Sequence, residues 1–248
     1  MDIPRIFTIS ESEHRIHNPF TPEKYATLGR ALRMNPATRI LDLGSGSGEM
    51  LCTWARDYGI TGVGIDMSQL FSEQAKLRAE ELGVANRVNF IHSDATGYVA
   101  DEKCDVAACV GATWIAGGVA GTVKLLSMSL KPGGIVLIGE PYWRQLPATD
   151  EMARKCGAAS LSDFLPLPEL VASFDTLGYD VVEMVLADQE GWDRYEAAKW
   201  LTMRRWLEKH PEDDFAEVIR AELTISPKRH VTWTREYLGW GVFALIAR

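Results

Sequence analysis

Apolar positions change their spacing several times along this chain, and each change marks an element. Short, nearly unbroken apolar runs at 40–43, 62–65, 88–91, 104–110 and 134–139 have the length and composition of buried strands. Near 48–58, 69–82 and 119–129, apolar side chains recur at helical spacing, with Gly59 and Gly83 placed as C-terminal caps. Upstream, Thr21-Pro22-Glu23 combines a capping hydroxyl with proline in the first turn. Tyr25, Leu28 and Leu32 give that helix one apolar face, and Asn35-Pro36 stops it. Downstream lie helices near 150–156 and 168–177, the second ended by Gly178, and a sixth strand over 179–187. Strands alternating with helices predict an α/β fold, a parallel doubly wound sheet with ligands at the carboxyl ends of its strands.

The sharpest local feature is 40–50, Ile-Leu-Asp-Leu-Gly-Ser-Gly-Ser-Gly-Glu-Met, where a strand runs into glycines at alternate positions and then into a helix. Glycine admits φ > 0 and lets a ligand approach backbone N–H groups with no Cβ in the way. The helix start adds unpaired donors and the positive end of a dipole. The spacing is not the dinucleotide fingerprint, because Glu49 stands three after Gly46, and no phosphate-binding Lys is near for a Walker loop. The segment resembles the D-x-G-x-G-x-G motif of class I S-adenosylmethionine (SAM)-dependent methyltransferases. The resemblance implies that Asp42, Gly44, Ser45, Gly46 and Gly48 wrap the methionine part of SAM and meet its carboxylate and amino end.

Three further signatures follow in order. The run 62–65 ends in Asp66 and Met67; a carboxylate here offers two acceptor oxygens to a ribose, and with Ser68 it equally suits a helix cap. The third strand runs out into Asp94-Ala95, where the resemblance implies that the acid takes the adenine amino group and the next N–H a ring nitrogen; a loop acid or cap is the plainer reading. The fourth strand ends at Val110-Gly111 in a turn beside the cofactor, and Leu130-Lys131-Pro132-Gly133-Gly134 is a Pro-Gly turn feeding the fifth strand, frequent in this family. Together these span about residues 38–140.

The chain is therefore identified as a single methyltransferase domain over 1–248: an N-terminal helical lid (1–37), the SAM-binding core (38–140) and a cap insertion (188–240). The family's sheet has seven strands, the last of which (241–247) lies antiparallel between the fifth and sixth. A short loop joins those two strands in a minimal member, and here about fifty residues do. Within them Trp192, Tyr195, Lys199/Trp200, Met203 and Trp206/Leu207 share one helical face, which docks the cap or lines a pocket.

Composition narrows the partners. With 248 residues, 46% of them hydrophobic, the chain can bury a full core, and a net charge of −8 argues against nucleic-acid phosphate as the main partner. Four cysteines without C-x-x-C spacing read as buried thiols of a cytoplasmic protein, and no apolar stretch approaches a bilayer span. Oligomeric state is left open.

Methyl transfer asks the protein to align an acceptor, exclude water and take a proton. Past the fifth strand, Glu140 is a candidate proton acceptor and Tyr142 a candidate hydrogen-bond donor, flanked by Trp143. His14 and His17 lie in a polar stretch, 11–18, expected over the cofactor mouth; His17 is a candidate general base. The motifs of amino-methylating DNA enzymes, cytosine-C5 enzymes, Mg²⁺-dependent catechol-type enzymes and cyclopropane synthases are missing after strand four, where Gly-Ala-Thr-Trp stands. The expectation is a metal-free transfer to a small molecule. Alternatives are a non-catalytic SAM- or S-adenosylhomocysteine-binding module, a protein methyltransferase and, less well supported by the glycine spacing, a nicotinamide enzyme.

Overall fold

The computed structural model describes residues 3–248. Its strands are β1 (Arg39–Leu43), β2 (Thr61–Asp66), β3 (Val88–His92), β4 (Cys104–Val110), β5 (Leu130–Trp143), β6 (Tyr179–Leu186) and β7 (Leu238–Ala247). They form one sheet in the order β3-β2-β1-β4-β5-β7-β6, parallel except for β7, which runs antiparallel to both neighbours. The order reverses between β1 and β4, which places a crevice at the carboxyl ends of those two strands.

Before the sheet come α1 (Arg5–Glu11) and α2 (Pro22–Ala31); between strands lie α3 (Glu49–Tyr58), α4 (Gln69–Glu81), α5 (Val119–Ser127), α6 (Asp150–Lys155) and α7 (Leu167–Thr176). One face of the sheet buries Leu28 of α2, Leu51 and Trp54 of α3, and Ala75 of α4. The other buries Val123 and Leu126 of α5 with Leu170 and Phe174 of α7. Helix α3 is delimited by glycines in the left-handed region at both ends, Gly48 and Gly59, and the Gly59 N–H closes on Ala55 O. The cap consists of α8 (Gln189–Lys209), α9 (Ala216–Arg229), a π-helical turn (His230–Thr234) and α10 (Arg235–Tyr237). Asp188 caps α8 by accepting from Gly191 N at 2.7 Å. From the expected stripe, Met203 and Leu207 form a separate small core with Ile9 of α1 and Ile219 of α9, whereas Trp192 joins the main core.

Three expectations need correction. Residues 130–134 are not a turn before β5 but its kinked start: Gly133 takes φ +74°, Leu130 still pairs with Cys104, and the register with β4 shifts between Cys104 and Val106. Proline lacks an N–H and is tolerated at such an irregularity. Glu140 to Trp143 are not a loop after β5, because β7 pairs with it through Trp143↔Leu238 and keeps it extended. Thr21 stands at the N-cap of α2 without a side-chain capping bond, so Pro22 at the first helical position carries that start.

Candidate functional site

Gly44, Gly46 and Gly48 (φ +76°, +53°, +73°) turn the chain from β1 into α3. A Cβ at Gly44 would meet Ala112 at 2.7 Å, at Gly46 the His17 ring at 2.8 Å, and at Gly48 the Phe90 ring at 2.6 Å. Both sterics and dihedral therefore demand glycine. The loop is clamped from β2: Ile65 O accepts from Gly44 N at 2.8 Å, and Asp66 Oδ2 from Gly46 N at 2.7 Å.

Asp66 is buried, and its Oδ1 accepts from Ser68 N at 2.8 Å, while Ser68 caps α4 by accepting from Phe71 N. Loop support and helix capping still leave a second lone pair free on each carboxylate oxygen. Burial raises the Asp66 pKa against the pull of its two backbone bonds. Asp42, inward on β1, is 3% exposed and its Oδ1 has no hydrogen-bond partner among the described residues; burial first, then the charge of Asp66, pushes its carboxyl up to about 7.

A cavity of about 370 Å³ opens at the carboxyl ends of β1, β2 and β4. Gly44, Gly46, Asp66, Met67, Asp94 and Ala95 line it, with Val110 and Gly111. Asp42 and Ser45 line a chamber of about 40 Å³ on the other side of the loop, and Gly48 packs behind both. Asp94 Oδ1 accepts from Thr96 N at 2.8 Å, a bond that lowers its pKa. His17 lines both spaces, with its ring 4.2 Å from Phe71.

Glu140 follows Gly139, the register partner of Val110, and accepts from Thr113 Oγ1 at 2.7 Å. Burial pushes its carboxyl up to about 7 against that bond. It does not line the cavity itself; the 3₁₀ turn that begins at Thr113 does, through Trp114 and Ile115. Tyr142, on the same strand face, is buried against Gly239, where a Cβ would meet its ring at 2.2 Å. The sequence reading missed the roof, Ile3, Pro4 and Phe7, and Phe71 of α4. The spacing of Ile6, Phe7 and Ile9 behind Pro4 was the available signal. Among the described residues, no group of three or more His, Cys, Asp or Glu is placed to hold a metal ion.

Comparison with known proteins agrees with this geometry. Residues 40–134 match the model of a methyltransferase domain family. The chain is 81% identical to YjhP of Escherichia coli (strain K12), an uncharacterised protein, over the full length of both. A SAM-dependent methyltransferase from Geobacter sulfurreducens, solved with S-adenosyl-L-homocysteine, superposes with a TM-score of 0.98 at 75% identity, over 100% of this chain and 99% of that one. A second, from Thiobacillus denitrificans with the same ligand, gives 0.97 at 72% identity over the whole of both chains.

Proposed function

This chain belongs to the SAM-dependent methyltransferases, and from that premise we propose that it methylates a small molecule, without a metal, in the space beneath its N-terminal lid. The observation that carries this reading is the covering of the site. Ile3, Pro4 and Phe7 lie over the cavity, and Ile9 of the same segment is packed on α8. Trp114 and Ile115, which the cofactor assignment does not use, add apolar lining beside that roof and suit a small acceptor better than a folded protein or a duplex.

The residues present fit SAM. The buried, unpartnered Asp42 Oδ1 suits an ammonium group, and the free lone pairs of Asp66 suit ribose hydroxyls. Met67, Asp94 and Ala95 line the part of the cavity assigned to the adenine, Gly111 lines the same cavity, and Val110 of β4 borders both spaces. When bound, SAM supplies an electrophilic methyl group on a positively charged sulfur.

The chain then has to hold the acceptor, keep water out and take a proton. Glu140, with its carboxyl near 7, is poised to accept one at neutral pH, and Thr113 ties it to the turn that lines the cavity. Tyr142 acts as support, packing under the strand end that carries Glu140. His17 is assigned to holding the cofactor loop, since its Nε2 lies 2.8 Å from Ser47 Oγ. Four buried, free thiols support a cytoplasmic setting.

Incubation with methyl-labelled SAM and a cell extract, followed by size separation, tests the reading. Label in the metabolite fraction, lost with Glu140→Gln, supports it. Label only in the protein fraction would mark a protein methyltransferase. Tight S-adenosylhomocysteine binding with no labelled product would favour a regulatory module.

A further inference from the structure

Glu11 ends α1, and it is fully buried despite its charge. One hydroxyl donor and two imidazoles converge on its carboxylate. Tyr195 of α8 donates to Oε1 at 2.6 Å, His14 Nδ1 lies 2.8 Å from Oε2, and His17 Nδ1 lies 3.5 Å from the same oxygen. Burial pulls the carboxyl upward, but the close approach of the His14 and His17 imidazoles outweighs it and holds it at about 2. Their approach favours the charged form of the carboxyl.

His17 carries this anchorage to the cofactor loop. Gln74 Nε2 donates to Ser12 O at 2.7 Å, which turns its Oε1 towards Ser47 Oγ, also 2.7 Å away. Ser47 has one hydroxyl hydrogen and gives it to Gln74, so its oxygen accepts from His17 Nε2–H. The imidazole is therefore bonded to the glycine loop through Nε2, while Nδ1 faces Glu11 Oε2 at 3.5 Å without a hydrogen bond. Its ring lies across Gly46, at the boundary shared by the 370 Å³ cavity and the 40 Å³ chamber. A ligand that occupies both spaces passes beneath it.

We propose that Glu11 is a positioning residue for the cofactor: it holds His17 as a strap across the ligand and, through Tyr195, locks that strap to the cap. SAM enters and S-adenosylhomocysteine leaves only when this three-way junction opens. The proposal rests on the cofactor assignment above and asks nothing of the methyl acceptor. Other lid-to-cap ties, such as Arg5 with Asp213 and Arg205 with Glu13, are exposed and do not touch His17. They supply the control.

The experiment is S-adenosylhomocysteine binding to the full chain by calorimetry, with release followed by tryptophan fluorescence after displacement by excess sinefungin. Tyr195→Phe keeps the ring and deletes one bond; Glu11→Gln deletes the charge; Arg5→Ala cuts only an exposed tie. Release faster by about 10- to 100-fold in Glu11→Gln, and by a smaller factor in Tyr195→Phe, is expected. Cofactor-free Tyr195→Phe should melt somewhat below the wild type, because Glu11 Oε1 loses its donor, so release is compared well below both transitions. Arg5→Ala should release at the wild-type rate. Unchanged release in a folded Glu11→Gln would overturn the proposal; should that variant not fold, unchanged release in Tyr195→Phe would do so. Equal acceleration by Arg5→Ala would also overturn it, by making lid docking in general the controlling contact. No binding by cofactor-free wild type would instead sink the cofactor assignment, and the proposal with it.

Discussion

Glu140→Gln should stabilise the cofactor-free protein in a way that grows with pH. The folded state holds this carboxyl at about 7, raised from 4.5 by burial. Below about pH 4 the group is neutral folded and unfolded, so its ionisation contributes nothing. Between 4.5 and 7 the unfolded chain ionises it and the native state does not, so stability falls as pH rises. Above pH 7 both states are charged and the native state bears the full desolvation cost, roughly 3 kcal/mol at 1.36 kcal/mol per pKa unit. Glutamine keeps the acceptor for Thr113 and never ionises. Urea unfolding of both proteins at about pH 4, 6 and 8, followed by the fluorescence of the eight tryptophans, reads the difference. The gain from the substitution should increase by roughly 3 kcal/mol between about pH 4 and 8, whatever constant offset the amide introduces. A gain that does not vary with pH would show an unperturbed carboxyl and remove the case for Glu140 as proton acceptor.

Asp42→Asn combines the same sign with the opposite functional effect: the cofactor-free protein should melt higher above pH 7, because the buried carboxyl is held at about 7, while calorimetry shows weaker S-adenosylhomocysteine binding. Asp66→Ala frees the N–H groups of Gly46 and Ser68 and should cost about 100-fold or more in S-adenosylhomocysteine affinity; undiminished binding would refute its role. Gly239→Ala puts a Cβ 2.2 Å from the Tyr142 ring and should destabilise by about 1–3 kcal/mol in urea. Its ligand affinity, measured well below the melting transition, should stay near that of the wild type.

The half of the molecule that binds the cofactor was legible because its chemistry is local. The turn after β1 needs glycines at fixed offsets, and Asp66, Asp94 and Gly111 each stand at a strand tip that the apolar runs already locate. What escaped was set by contacts distant in sequence. Glu11 looks like one more polar residue before a helix; only the approach of Tyr195, 184 positions away, makes it a buried hub. The extent of β5 was hidden for the same reason. Lys131-Pro132-Gly133-Gly134 is turn chemistry taken alone, and pairing with β4 and β7 draws it and residues 140–143 into a strand. Glu140 was found by residue type, but its raised carboxyl depends on burial that no neighbouring residue announces.

The placement of β7 bears on the order of folding. Among the described residues strand β6 has no sheet partner except β7, and the whole cap intervenes between them in the chain. β6 can therefore join the sheet only after the cap has been traversed, at the entropic cost of closing a long loop, whereas α7 already packs on β5. The block from β1 to β5 needs no such closure and can form first. The same asymmetry should persist in the native state as two cooperative units of unequal protection, with the amides of β6 exchanging before those of β1 and β4. Local opening at that edge would release the cap while leaving the glycine loop intact.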